Sequence, residues 1–166
     1  MLASVEKTKG IFYITEKHKN YADSYLKVRE KEGRIYEDSV VALLPNVTKT
    51  HHYYREWKLR QQSTNRILNY LKDKKQPLKI LDLGCGNGWF SYHLSLLPNT
   101  EVFAVDLNAL ELEQAARVFQ KENLYFIYAD IFSKKAKILN EFDIITVNSC
   151  IQYFRNRRIR DTYKAL

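Results

Sequence analysis

The feature that most constrains this chain is a glycine loop set directly behind an apolar run and an acid. The segment Lys79-Ile80-Leu81-Asp82-Leu83-Gly84-Cys85-Gly86-Asn87-Gly88-Trp89-Phe90 holds three of the chain's five glycines. Glycine loses more backbone freedom on folding than any other residue, so a cluster of three needs a reason. A tight turn that lets a ligand approach bare backbone supplies one. The run before the loop reads as a buried strand, and a helical pattern opens at Trp89. Strand, glycine turn and helix form the opening unit of a parallel sheet with crossover helices.

The unit recurs. Four short apolar or β-branched runs lie at 78–83, 101–105, 124–128 and 142–147. Helical stretches at 89–97 and 109–122 and a polar stretch at 133–141 separate them. This order, βαβαβ(α)β, predicts an α/β fold with a doubly wound parallel sheet covered on both faces by right-handed crossovers. In such sheets ligands bind at the carboxyl ends of the strands. Those ends carry Asp82 with the glycine loop, Asp106-Leu107, Asp130-Ile131 and Asn148. Three acids and an amide thus fall on one rim.

The segment before this core has a different pattern. Residues 1–13 show no clear period. Tyr21, Ala22, Tyr25 and Val28 form a helical stripe that Gly33 ends. The run at 40–44, stopped by Pro45, fits either a strand or a helical turn. A long helix is expected at about 50–74, with Tyr53, Trp57, Thr64, Leu68 and Leu71 near one face and Pro77 after its end. Its aromatic residues Tyr53, Tyr54 and Trp57 are either core or a lid over a site. The expected division is a mostly helical segment over 1–77 and a ligand-binding core over 78–166.

Composition narrows the class. With 166 residues the chain is about one domain. No apolar run approaches the roughly 20 residues of a membrane helix, and the start lacks the apolar run of a signal peptide. A cytoplasmic, non-membrane protein is therefore expected. Two cysteines, Cys85 and Cys150, suit packed thiols better than a disulfide framework. The adjacent His51 and His52 do not share a helix face, so no metal site is expected. The net charge of +8 is uneven. Residues 1–77 carry 16 Lys+Arg against 9 Asp+Glu, residues 78–154 carry 6 against 9, and residues 155–166 carry 5 against 1. The basic flanks read as a solvated surface or as a site for an anionic partner such as nucleic acid.

The glycine spacing separates two cofactor classes. A dinucleotide loop runs Gly-x-Gly-x-x-Gly; here Trp89 stands where the third glycine belongs, and the glycines run Gly-x-Gly-x-Gly. Asp106 lies 22 residues after Gly84, near the ~20 expected of an acid that holds ribose hydroxyls. The stretch 82–88 resembles the first motif of the class I S-adenosylmethionine-dependent methyltransferases. The likeness continues at 103–107, 128–131 and 142–148, and covers about residues 78–154. An NAD(P)-dependent oxidoreductase and a nucleic-acid-associated module without catalysis are the competing readings.

The resemblance implies a Rossmann-like sheet of seven strands in the order 3-2-1-4-5-7-6, of which this sequence supplies the 3-2-1-4 part. The later strands are missing, so a fragment, or a homo-oligomer joined through the edge of the fourth strand, is expected. It implies S-adenosylmethionine as cofactor. Gly84, Cys85, Gly86 and Gly88 would line its amino-acid end, with Asp82 orienting the ammonium group. Asp106 would accept from both ribose hydroxyls, Leu107 and Ile131 would sandwich the adenine, Asp130 would take its exocyclic amine, and Asn148 would sit by the methionine arm. Cys85 by itself reads as a small packed residue. Gln152, Tyr153 and Phe154 would stand near the acceptor, with Arg155, Arg157, Arg158 and Arg160 on a basic run behind them. No general base is assigned beyond Asp130 and Tyr153 as options. The acceptor is unidentified, a small molecule being favoured over a macromolecule.

Overall fold

The computed structural model describes residues 2–17, 26–139, 141–148 and 150. Among them runs a six-stranded sheet in the order β1-β2-β5-β4-β3-β6. Its strands are β1 (Lys7–Thr8), β2 (Ile11–Tyr13), β3 (Leu78–Leu83), β4 (Thr100–Asp106), β5 (Leu124–Tyr128) and β6 (Ile144–Val147). The last four stand in the predicted 3-2-1-4 arrangement, all parallel.

The first strands are a finding. Residues 1–13 show no period because strands of two and three residues are too short to carry one. The local signal is Lys9-Gly10, both at positive φ, which makes the two-residue turn of a hairpin. The hairpin adds its second strand in parallel to β5. Residues 7–13 thus belong to the core sheet rather than to the helical segment expected over 1–77.

Helices follow the apolar spacing. The described part of α1 is residues 26–31, and Gly33 closes it at φ +62 while Arg34 N–H returns to the Arg29 carbonyl. The run at 40–44 is helical: α2 spans Asp38–Val41 and passes into a turn. Helix α3 spans Tyr54–Lys72 and buries Trp57, Thr64 and Leu71. Helix α4 (Trp89–Ser95) and helix α5 (Ala109–Val118) make the two crossovers of the core. Asn108 caps α5, its side chain accepting from the amides of Leu110 and Glu111.

Alternation along the strands divides the core. Ile80, Val102, Ala104 and Phe126 pack with Trp57, Phe90, Leu94 and Leu112 of the helices. Leu81, Leu83, Phe103, Val105 and Ile127 face the other way, towards Leu139 after the 3₁₀ turn Lys134–Ile138. The chain runs outward from β3 to β4 to β5, then returns to β6 on the opposite side of β3. The reversal makes the carboxyl ends of β3 and β6 the switch point where a ligand crevice is expected. Strand β6 ends the sheet among the described residues and leaves Ile145 and Val147 exposed.

Candidate cofactor site

All three loop glycines have positive φ, at +69, +54 and +74 for Gly84, Gly86 and Gly88. Their surroundings differ. A Cβ at Gly84 would lie 2.4 Å from the Cys150 sulfur, and one at Gly88 would lie 2.6 Å from the Phe126 ring and 2.8 Å from Ala115. The close approach at these two positions is made by the protein itself. At Gly86 the nearest neighbour would be the Glu111 carboxylate at 3.5 Å, an ordinary contact. Gly86 is thus the loop position where an added carbon would meet an ordinary contact rather than a clash, and it lines a cavity.

A cavity of about 280 Å³ lies there. One wall holds Gly84, Gly86 and Asn148, from the ends of β3 and β6. The other holds Arg29, Arg34 and Arg60, from α1, the turn after it and α3. The cavity therefore sits at the switch point, under a cover supplied by the N-terminal segment.

Asp106 anchors the loop. Its Oδ2 accepts from Gly86 N–H at 2.8 Å and its Oδ1 from Asn108 N–H at 2.8 Å. Burial pushes its pKa up, and the three backbone donors at Gly86, Asn108 and Leu107 together with the Arg29 charge pull it back. A carboxylate already ordered by amides, at the end of the strand beside the loop, is suited to accept further hydroxyl donors.

Asp82 lies beneath the loop. It is 1% exposed, and both of its oxygens are engaged: Ser91 Oγ donates to Oδ2 at 2.6 Å and Thr146 Oγ1 to Oδ1 at 2.8 Å. These bonds tie β3 to α4 and β6 beneath the loop. Burial raises its pKa to about 6. The sequence signal was two hydroxyls, Ser91 and Thr146, in otherwise apolar runs that share its face of the sheet.

The remaining residues fall around this centre. Cys85 is buried and lines the cavity, and desolvation pushes its thiol well above the ordinary range. Cys150 is pushed up to about 12 by burial. Neither is an activated nucleophile. Leu107 packs with the helix-side core and Ile131 with the opposite core. Asp130 Oδ1 accepts from Phe132 N–H at 3.0 Å, and its own N–H donates to Thr15 Oγ1 at 3.0 Å. Sequence reasoning missed Thr15, which brings the N-terminal strand to the same rim, and also Arg29 and Glu111. Residues 151–166, including Gln152, Tyr153, Phe154 and the four arginines, lie outside the described residues.

The cover is polar and cross-braced. Arg34 makes two hydrogen bonds to Glu56, at 2.9 and 2.6 Å, and Arg60 Nε adds a third at 3.0 Å. Of the aromatic residues, Trp57 is buried core and meets Trp89, the first residue after the loop, edge to face at 5.3 Å. Trp57 Nε1 donates to Tyr36 Oη at 3.3 Å. Among the described residues there is no cluster of His, Cys, Asp and Glu able to hold a metal, and no helix long and apolar enough to cross a membrane.

A parallel sheet with a glycine turn at its switch point, and an acid at the next strand end, defines a Rossmann-like protein built to bind a nucleoside-bearing cofactor. The model of the methyltransferase-domain family matches residues 80–166, just over half of the chain. The chain belongs to that family, the class I S-adenosylmethionine-dependent methyltransferases, and S-adenosylmethionine is its cofactor. Malonyl-[acyl-carrier protein] O-methyltransferase 2 of Ilyobacter polytropus is 28% identical over 116 residues, 68% of this chain and 44% of the relative. The malonyl-[acyl-carrier protein] O-methyltransferase of Acetivibrio thermocellus is 30% identical over 101 residues, 60% of this chain and 35% of the relative. The chain thus spans less than half the length of these relatives. Magnesium protoporphyrin IX methyltransferase of Synechocystis, solved with bound SAH, superposes with a TM-score of 0.60 at 14% identity, covering 86% of this chain and 65% of that one; this shows the fold.

Proposed function

We propose that the chain binds S-adenosylmethionine over Gly86 and transfers its methyl group to an oxygen of an acyl-linked carboxylate. The observation that carries the binding is the junction of loop and acid: Gly86 lines the cavity and its N–H is tied to Asp106. In this reading Asp106 accepts from the ribose hydroxyls. Leu107 and Ile131 flank the adenine and Asp130 takes its amine. Gly84, Cys85, Gly86 and Asn148 line the methionine arm. Gly88 supports the loop from beneath, and Asp82 acts through Ser91 and Thr146 rather than on the ligand. Residues 26–77 form the cover and 78–150 the cofactor core.

The cofactor supplies a methyl group already activated on a sulfonium. The chain's contribution is then mainly positioning, worth up to ~7–11 kcal/mol of barrier. An ionised carboxylate has no proton to lose as it is methylated, so no general base is required of the chain. The oxygen acceptor rests on the similarity to the two malonyl-[acyl-carrier protein] O-methyltransferases.

Calorimetry with S-adenosylhomocysteine and with NAD tests the cofactor reading. Binding of the first and not the second is expected. Asp106→Ala should weaken S-adenosylhomocysteine about tenfold, the loss of hydrogen bonds to a charged group. An unchanged dissociation constant would remove Asp106 from the site. Transfer of labelled methyl to malonyl-acyl carrier protein, but not to the same carrier with an acetyl group, tests the acceptor.

A further inference from the structure

Glu111 and Arg29 belong to none of the motifs above, yet both reach the cofactor cavity. Glu111 is in the first turn of α5. Its Oε2 accepts from Asn108 Nδ2 at 3.3 Å, and its carboxylate lies against Gly86, 3.5 Å from where a Cβ would stand. Arg29, on α1, places a guanidinium nitrogen 3.6 Å from Glu111 Oε1. Both side chains are largely buried, at 20% and 14% exposure, so solvent screens their charges little. Asp106 stands beside them, held to Gly86 and Asn108. Both carboxylates border Gly86, Glu111 3.5 Å from where its Cβ would stand and Asp106 through its N–H, and like charges at one buried site disfavour joint ionisation unless a cation stands with them.

We infer that Arg29 is a positioning residue of the cofactor site: its guanidinium, brought over the strand rim by α1, keeps the Asp106 and Glu111 carboxylates jointly ionised for ribose binding. The inference rests on the cofactor reading above. It makes the N-terminal cover part of the binding site, reaching Asp106 through charge rather than through contact with the ligand. A protonated Asp106 would present a hydroxyl to the ribose and lose an acceptor. Other groups that act on this carboxylate are Asp82 at the end of β3, Cys85 in the loop and Cys150 after β6. All are acids or thiols, and of the three arginines on the cavity wall Arg34 and Arg60 are bonded to Glu56, while the Arg29 charge favours the ionised form of Asp106.

The test is the pH profile of S-adenosylhomocysteine affinity, measured by calorimetry between pH 4.5 and 8. In the wild type, affinity should fall on the acid side as Asp106 takes up a proton. In Arg29→Ala that fall should move to higher pH by about one pH unit, the effect of losing an adjacent opposite charge. On the acid side of the profile this appears as several-fold weaker binding than in the wild type, with the two converging at higher pH. Arg29→Lys keeps the charge and should restore the wild-type profile. Glu111→Gln removes a like charge and should move the fall to lower pH, which keeps the test intact if Arg29→Ala does not fold. A uniform loss of affinity at every pH would mean that Arg29 only packs α1 in place and would overturn the inference. Tighter binding in Arg29→Ala would overturn it too, by showing that the guanidinium competes with the ribose. Failure of the wild type to bind at any pH would instead sink the cofactor reading itself.

Discussion

Two acids of the strand rim, Asp82 and Asp106, and two acids of the cover, Glu56 and Asp38, titrate in opposite directions. At the rim, Asp82 and Asp106 are held above the ordinary carboxylate range because burial outweighs the hydroxyl and amide donors around them. In the cover, Arg34 and Arg60 hold Glu56 down to about 2. At the cover's contact with α5, Arg117 and Gln114 hold Asp38 down to about 2. The rim is built from backbone geometry and buried hydrogen bonds around charges the fold would rather neutralise. The cover is built from ion pairs at partly exposed positions. Stability at the rim is therefore set by packing and strain, and in the cover by charge and salt.

The largest effect should come from adding one carbon to the rim. Gly88→Ala combines a left-handed backbone with contacts of 2.6 and 2.8 Å to Phe126 and Ala115. Strain and overpacking together should cost about 3 kcal/mol, read as a lower urea midpoint at unchanged slope. A cost below about 0.5 kcal/mol would mean that the rim is as compliant as the cover.

Next is the pH dependence centred on Asp82. Its folded pKa of about 6 exceeds the unfolded value of 3.8. Below about pH 4 both states hold the proton; between about 4 and 6 only the unfolded chain releases it. Its contribution to stability therefore falls by about 2–3 kcal/mol as pH rises through that window, and stays lower above it. Asp82→Asn keeps partners for both hydroxyls and should flatten this part of the profile, measured by denaturant unfolding at each pH. A profile identical to the wild type would place the charged carboxylate at no disadvantage and erase the contrast with Glu56.

The cover should yield the smallest change. Glu56→Gln removes the shared partner of Arg34 and Arg60 and should cost about 1 kcal/mol, less at high salt. Because the Glu56 pKa is lowered from 4.5, its stabilisation is complete above about pH 4.5 and is lost as pH falls towards 2. The two regions are thus separable in one titration: moderate acid relieves the rim, and stronger acid loosens the cover. A salt-independent loss in Glu56→Gln would count against this division.

The rim was the legible part of the sequence. Apolar runs punctuated by Asp82, Asp106, Asp130 and Asn148 locate the strand ends, because a parallel strand buried on both faces cannot hide its polar terminus. The separate tasks of the glycines were not legible, since positive φ looks the same whether the neighbour is a ligand or Phe126. The role of Asp82 was hidden for a related reason: its partners, Ser91 and Thr146, are 9 and 64 residues away and meet only once the sheet has formed. Charge pairs such as Arg34–Glu56 and Arg29–Glu111 depend on how the cover lies on the core, which no local period encodes.

The chain has two tryptophans, and they touch each other across the boundary between cover and core. Intrinsic fluorescence is therefore a single-site signal. Any event that lifts α3 from the glycine loop separates the two indoles and wets Trp89, so emission reports on that junction without an added label. Ligand titrations and stopped-flow mixing can then follow the cover directly, on the same unmodified protein that calorimetry uses.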